Sequence, residues 1–513
     1  MTPSCTVHVE RLPTRGARRR WLVAVVAVAV VLGACSDDDG GSASEEGGAT
    51  TTTGAPIEQR GEGVAQPEVT GPVEGGRGEP FLATDVIDGT GYVEEEFIFE
   101  GEATAYEADG PLTADGQWTV TPGATAPYRT RMLVRYPEDP ETFDGNVFVE
   151  WFNVTGGLDV DVAFGLGYPA IIDAGSAYVG ISAQEVGVEG GGPAIEIEGV
   201  DEVPALQQLD PERYGDLDHP GDAYSYDMFS QAAQALRRPG DVNVLGVLVP
   251  EHLIAFGESQ SAGRLITYVN GVHAQADIYD GFLIHGRGDT AASLDDDTTP
   301  EAPTLIRGDL TDPVFQFEAE NDISRGYFVA RQPDTDLLRT WEVAGTAHAD
   351  QSILDYTAGV AEDVGSATDL SSQCPVINDG PQAEVLRAAF DALRAWVVDG
   401  TPPPTAEPLE DEGGVLVRDD LGVVVGGIRT PPVDAPTVVL SGDAVPGTSV
   451  ICSLFGNMTD IPPAVLEGLY PTHDDYVAAV TESAAAALDA GFLRQAEADA
   501  YVAEAEEADI PPA

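Results

Sequence analysis

A serine set between small residues is the feature of this sequence best suited to chemistry. It lies in Gly257-Glu258-Ser259-Gln260-Ser261-Ala262-Gly263, after the apolar run Leu253-Ile254-Ala255-Phe256 and before a helical pattern from Ser261 to Val269. A strand that turns directly into a helix at Ser259 leaves no room for bulky side chains two positions to either side. Such a turn lifts the hydroxyl above the sheet and places the positive end of a helix beneath it. Ser261 stands where a second Gly is commoner, and it is still small. The chemistry this suits is attack on a carbonyl carbon, for which a serine hydroxyl needs a base.

Two later stretches can supply the base and its partner. Asp312 to Asp322 is an apolar run that ends in carboxylates, and Val343-Ala344-Gly345-Thr346-Ala347-His348 is another that ends in a small-residue loop and a histidine. The order serine, acid, histidine is the one such a turn calls for. Asp322 is the expected acid, with Glu320 as its rival; either would fix the tautomer of His348 and stabilise its imidazolium. His285 also ends an apolar run. It precedes the acid, which makes it a weaker candidate for the base, or else a pocket-lining group.

The carbonyl oxygen needs donors as charge develops on it. The backbone N–H of Gln260 is expected to be one. The second is expected from Trp151-Phe152-Asn153-Val154-Thr155-Gly156-Gly157, as the N–H of Asn153 or of Val154. No cofactor and no metal are expected: no Cys or His spacing suits a metal, and acidic pairs such as Asp159 and Asp161 are commonplace in so acidic a chain.

Elements must hold these groups together. Apolar runs at 146–151, 177–181, 253–256, 281–284, 314–317 and 341–344 read as buried parallel strands, with a helix at 225–236 and another after Ser259. Strands alternating with helices predict an α/β fold built on a mostly parallel central sheet. Phe97–Phe99, Gln117–Val120 and Arg129–Val134 predict an N-terminal antiparallel β region. Residues 287–311, with Asp295-Asp296-Asp297, fall where a lid could be inserted, although a solvated acidic face is the plainer reading. A C-terminal extension is expected over 360–513, with helices near 382–398 and from Asp475 onward.

The first residues read as an address. Arg11, Arg15, Arg18, Arg19 and Arg20 precede the apolar stretch Trp21–Ala34, which is shorter than the roughly 20 residues a bilayer span needs. Leu32-Gly33-Ala34-Cys35 resembles the lipobox of bacterial lipoproteins. That resemblance implies a signal peptide over 1–34, a lipid on Cys35, and an extracytoplasmic protein anchored to the cell membrane. Arg18-Arg19-Arg20 fits a twin-arginine route, and a general secretory route fits equally. Residues 35–79, rich in Gly, Ser, Thr and acid, are expected to be a disordered tether, with the main domain over 80–513. In an oxidising exterior Cys374 and Cys452 are expected to form a disulfide rather than remain two free thiols.

The chain has 513 residues, 43% of them hydrophobic, so a large core can be buried. Asp and Glu number 88 against 24 basic residues, for a net charge of −64, and every basic residue is Arg. Such a chain offers phosphates no basic footprint, which excludes nucleic acid as a partner.

Together these residues resemble the α/β-hydrolase superfamily, and in particular large bacterial α/β-hydrolase-domain proteins. Besides the serine turn, the resemblance is carried by Phe148–Val154, Ala223–Asp227, Asp280–Leu283, Ala344–Asp350 and Gly426–Pro431. It implies a hydrolase acting through Ser259, Asp322 and His348. The expectation is a membrane-tethered serine hydrolase of small carboxylic esters. A solute-binding lipoprotein or a catalytically silent hydrolase fold is the alternative.

Overall fold

The apolar runs of the sequence become the strands of one sheet. They are β1 (Glu68–Thr70), β2 (Tyr92–Ala108), β3 (Val120–Pro137), β4 (Asn146–Trp151), β5 (Ala177–Ile181), β6 (His252–Glu258), β7 (Gly281–His285), β8 (Val314–Ala319) and β9 (Leu338–Val343). The computed structural model describes residues 60–195, 203–295, 297–363 and 373–511, and all of them fall within the unit Gly54–Ala513. Residues 1–34, Cys35 and the tether up to 59 lie outside the described residues.

The strands run in the order β1-β2-β3-β5-β4-β6-β7-β8-β9. From β5 to β9 every pairing is parallel, while β1, β2 and β3 join antiparallel at one edge. This is the expected α/β architecture.

Alternation along the strands sorts side chains onto two faces. Val147, Val149 and Trp151 meet Met228, Phe229 and Leu236 of the helix Ser225–Arg237. Phe148, Ile254 and Phe256 point the other way, toward Phe164 and Leu166 of the helix Val162–Ala174 and Phe390 and Leu393 of the helix Gln382–Asp399. The Phe390 ring lies edge-on to Phe148 and Phe256 at 5.1 and 5.3 Å. With both faces covered, the central strands read as nearly unbroken apolar runs.

Three expected boundaries shift. Residues 60–79 belong to the domain rather than to a tether. Arg60 is 4% exposed and pairs with Asp280 and Asp312, Val64 and Val69 enter the core, and β1 pairs with β2. Those few anchoring residues are diluted by Gly and Glu, which hid them in the composition. The stretch 360–513 is likewise no appendage. It supplies the helix Gln382–Asp399 to the core, and Ile428 bridges Val343 of β9 in parallel. Finally, Val120 and Arg129–Val134 belong to one strand. Pro122, Gly123 and Pro127 interrupt its pattern, but there β3 extends beyond its pairing with β5 and is an edge, where such residues are tolerated.

Candidate active site

The turn after β6 is built as its residue types require. Ser259 has φ 57° and ψ −112°, a strained conformation for a residue with a Cβ. Its N–H donates to His285 O at 2.8 Å. A Cβ on Gly257 would lie 2.9 Å from Ser261 Oγ, so a larger residue there would displace the helix. Ser261 Oγ accepts from Glu258 N–H at 3.0 Å and donates to Glu258 O at 2.8 Å, pinning strand end to helix start. The Ser in place of a second Gly thus clamps the turn. The following helix, Gln260–Thr267, begins at the residue after Ser259 and aims its N-terminus at it.

His348 comes from the loop after β9. Its Nε2 lies 2.7 Å from Ser259 Oγ, and its Nδ1 lies 2.6 Å from Asp322 Oδ1. Asp322 sits in the short helix Glu320–Ser324 that follows β8, and its second oxygen accepts from Ala319 N–H at 2.8 Å. Burial alone would lower the pKa of His348. The adjacent Asp322 carboxylate, with Glu258 adding to it, reverses this and leaves the imidazole above its ordinary value. A Cβ on Gly286 would press within 3.2 Å of the imidazole, so this Gly gives the ring its room. A hydroxyl, an imidazole and a carboxylate in line can pass the serine proton to nitrogen and hold the resulting positive charge.

Glu320, the rival acid, faces elsewhere. It accepts from the N–H groups of Gly345 and Gly442, at 2.6 and 2.8 Å, and pairs with Arg418 at 3.0 Å. It braces the His348 loop from behind. Glu320 and Asp322 both lie in the helix Glu320–Ser324, where a separation of two residues turns the side chains about 200° apart, which spacing alone did not reveal.

The fold family follows from a direct match: a family model described as an alpha/beta hydrolase domain covers residues 69–503. The chain belongs to this family. No match was found among curated proteins. Among solved structures, this hydrolase domain is similar to a glucuronoyl esterase from Solibacter usitatus, with 11% identity, 60% of this chain and 88% of that one covered, and a TM-score of 0.27. It is similar to a thermostable esterase from Pseudomonas putida ECU1011, with 13% identity, coverage of 54% and 83%, and a TM-score of 0.26. A protein from Klebsiella pneumoniae subsp. pneumoniae MGH 78578, provisionally described as a dienelactone hydrolase, gives 12%, 52% and 98%, and 0.27. Likeness at this level carries no argument about substrate.

The hydrolase domain places the other candidates as follows. His285 is buried beneath the site, edge-on to Phe317, with Nε2 3.4 Å from Gln382 Oε1; burial lowers its pKa to about 4. It meets Ser259 through its backbone carbonyl alone, so it is not the base. The backbone N–H of Asn153 donates to Val160 O at 3.0 Å and is therefore spent. Of the two expected second donors, Val154 remains, alongside Gln260 at the helix start. Asp159 and Asp161 pair with Arg131 and Arg135. The 287–311 segment is stitched down: Ala292 N–H donates to Gly263 O, Leu305 N–H to Ala114 O, and Leu294 and Ile306 enter the core. These ties leave little freedom for a lid in this segment.

Two neighbours of the site had no signal in the sequence. Asn321 Oδ1 accepts the backbone N–H of His348 at 2.6 Å. Glu258 Oε1 lies 3.5 Å from His348 Nε2. Their identities looked like filler, at the variable position of a serine motif and in an acidic strand end.

Proposed function

We propose that the chain is a serine hydrolase of carboxylic esters. The observation that carries this reading is the line Ser259 Oγ, His348 Nε2, His348 Nδ1, Asp322 Oδ1, with contacts of 2.7 and 2.6 Å at its two ends. Ser259 attacks the ester carbonyl as Nε2 takes its proton. Asp322 keeps the tautomer with hydrogen on Nδ1 and stabilises the imidazolium. The N–H groups of Gln260 and Val154 hold the oxyanion. Collapse expels the alkoxide, which takes the proton from Nε2. Water then repeats the sequence on the acyl-enzyme. An ester suits this better than an amide because an alkoxide leaves more readily than an amine.

The test is a fluorophosphonate probe together with p-nitrophenyl esters of increasing acyl length. Wild type is expected to be labelled and to turn the esters over, and Ser259→Ala to do neither. Equal labelling of both proteins removes Ser259 from the reaction.

We further propose that the protein is exported and held to the cell membrane through a lipid on Cys35, with Cys374 and Cys452 bridged outside the cytoplasm. The lipobox-like Leu32–Cys35 supports this reading. Among the described residues no helix is long and apolar enough to cross a membrane. Metabolic labelling with a fatty acid, lost in Cys35→Ser, tests the anchor; incorporation that persists in the variant rules out Cys35.

A further inference from the structure

His348 Nε2, the atom that takes the serine proton, has a second polar neighbour. Glu258 Oε1 lies 3.5 Å from it, and Glu258 is 4% exposed. The other carboxyl oxygen accepts from Asn153 Nδ2 at 2.9 Å, and the same amide donates to Glu258 O at 3.1 Å. Asn153 is itself fixed, because its Oδ1 accepts from Thr155 N–H at 2.8 Å and its N–H donates to Val160 O. Asp322 lies on the Nδ1 side of the ring. The imidazole is therefore flanked by a carboxyl group at each nitrogen. Burying a carboxyl without a full set of partners costs the fold, and an uncharged residue here would be less expensive.

We propose that Glu258 is a catalytic residue of this hydrolase: its carboxylate stabilises the imidazolium formed when Nε2 takes the Ser259 proton, and Asn153 positions it. This rests on the serine-hydrolase reading above. In acylation the Oγ–C bond forms as the proton moves from Oγ to Nε2. The C–O bond to the leaving group then breaks as that proton moves to the alkoxide. Glu258 neither gains nor loses a proton in the cycle; it strengthens the base and holds the transient cation. Asp322 acts from the far nitrogen and Glu258 from the one where the proton arrives.

The charged and titratable groups around the pair are few. Asp322 and the exposed Arg325 face it from the segment after β8, His285 from the end of β7, and Asn153 supplies the neutral amide after β4. Burial pushes Glu258 up to about 7, with His348 pulling it down and Asp322 pushing it up. The attraction is mutual: the imidazolium favours the ionised Glu258, and the carboxylate favours the protonated His348.

Glu258→Gln in the full chain tests this, since Gln keeps an oxygen for Asn153 and removes the charge. If wild type neither hydrolyses p-nitrophenyl acetate nor reacts with a fluorophosphonate, the hydrolase reading itself is wrong. With wild type active, Glu258→Gln is expected to lower kcat about tenfold and to move the acid limb of kcat/KM about one pH unit lower. A lower kcat with an unmoved limb marks a structural role and overturns the proposal, as does an unchanged profile; both leave Ser259 and His348 in place. If the variant does not fold, wild type still decides. The His348 Nδ1–H resonance is expected to follow two ionisations, its own and that of Glu258, and a single inflection overturns the proposal.

Discussion

The backbone N–H of His348 donates to the side-chain oxygen of Asn321 at 2.6 Å, so the residue next to the acid holds the main chain of the base. Asn321 Nδ2 also donates to Ser453 O and Leu454 O, at 3.3 and 3.1 Å. Acid and base thus move as one body. Asn321→Ala takes the side-chain partner from the buried N–H of His348 and from Ser453 O, while Leu454 O keeps the N–H of Ala349, which costs about 1–3 kcal/mol. It is expected to lower kcat at least tenfold while KM stays within about twofold, because misplacement of the base by a fraction of an ångström affects the transition state and not ground-state binding. Steady-state kinetics and a thermal melt check both parts. Full kcat with a lowered melting temperature would deny Asn321 a positioning role.

Asp322 and Glu320 make a clean pair for comparison. Asp322→Asn keeps the shape and gives His348 the wrong tautomer, so a fall in kcat on the order of ten-thousandfold is expected. Glu320→Gln removes the ion pair to Arg418 and weakens the acceptor for Gly345 and Gly442. Its expected effect is a loss of about 2 kcal/mol in stability, with kcat within about tenfold of wild type. Denaturant melts and ester kinetics on both variants separate the two. The reverse ranking would exchange the two residues' roles.

Much of this site was legible because its grammar is local. Small residues around Ser259, a strand before and a helix after, and carboxylate and histidine at later strand ends are each written within a few positions. Glu258 and Asn321 were not legible, because their importance comes from what stands across the site: the ring of His348 and its backbone. The start of the domain was missed for a similar reason. Arg60 looks like tether in sequence, and only Asp280 and Asp312, brought near by the sheet, make it an anchor. The choice of Val154 over Asn153 needed the bond from Asn153 N–H to Val160, which no motif announces.

Glu258 also sets a trade between stability and reaction. Its pKa rises from an ordinary 4.5 to about 7 in the folded chain because it is buried. Between those values the folded state binds the proton more tightly than the unfolded state does, so stability falls as pH rises from 5 to 8. His348, also raised, adds in the same direction: its contribution is present below its unfolded pKa and is lost as pH climbs through the folded one. Glu258→Gln removes the first component. The variant is expected to be more stable than wild type by about 2–3 kcal/mol at pH 8, and little different at pH 5. Chemical denaturation at the two pH values measures this. Equal stabilities at pH 8 would mean that the carboxylate is not strained in the fold.

Cys374 and Cys452 connect this geometry to the C-terminal third of the chain. They are 78 residues apart in sequence, and their Cα atoms are 5.3 Å apart. Cys452 packs with Ile451, Leu454 and Phe455, and the carbonyl of Leu454 accepts from both Asn321 Nδ2 and the N–H of Ala349, the residue after His348. A cross-link between Cys374 and Cys452 would hold a segment that touches both the acid loop and the base loop. Closing a loop of this length restricts the unfolded chain by about 4–5 kcal/mol. Native protein is expected to show no free thiol at these positions. Reductant, or Cys452→Ser, is expected to cut ester hydrolysis several-fold at temperatures where the sheet remains folded, because the 451–455 segment loosens before the core does. Thiol titration alongside activity and circular dichroism follows the order of events. Activity that survives full reduction, with both thiols counted, would show that packing alone holds the segment against Asn321 and Ala349.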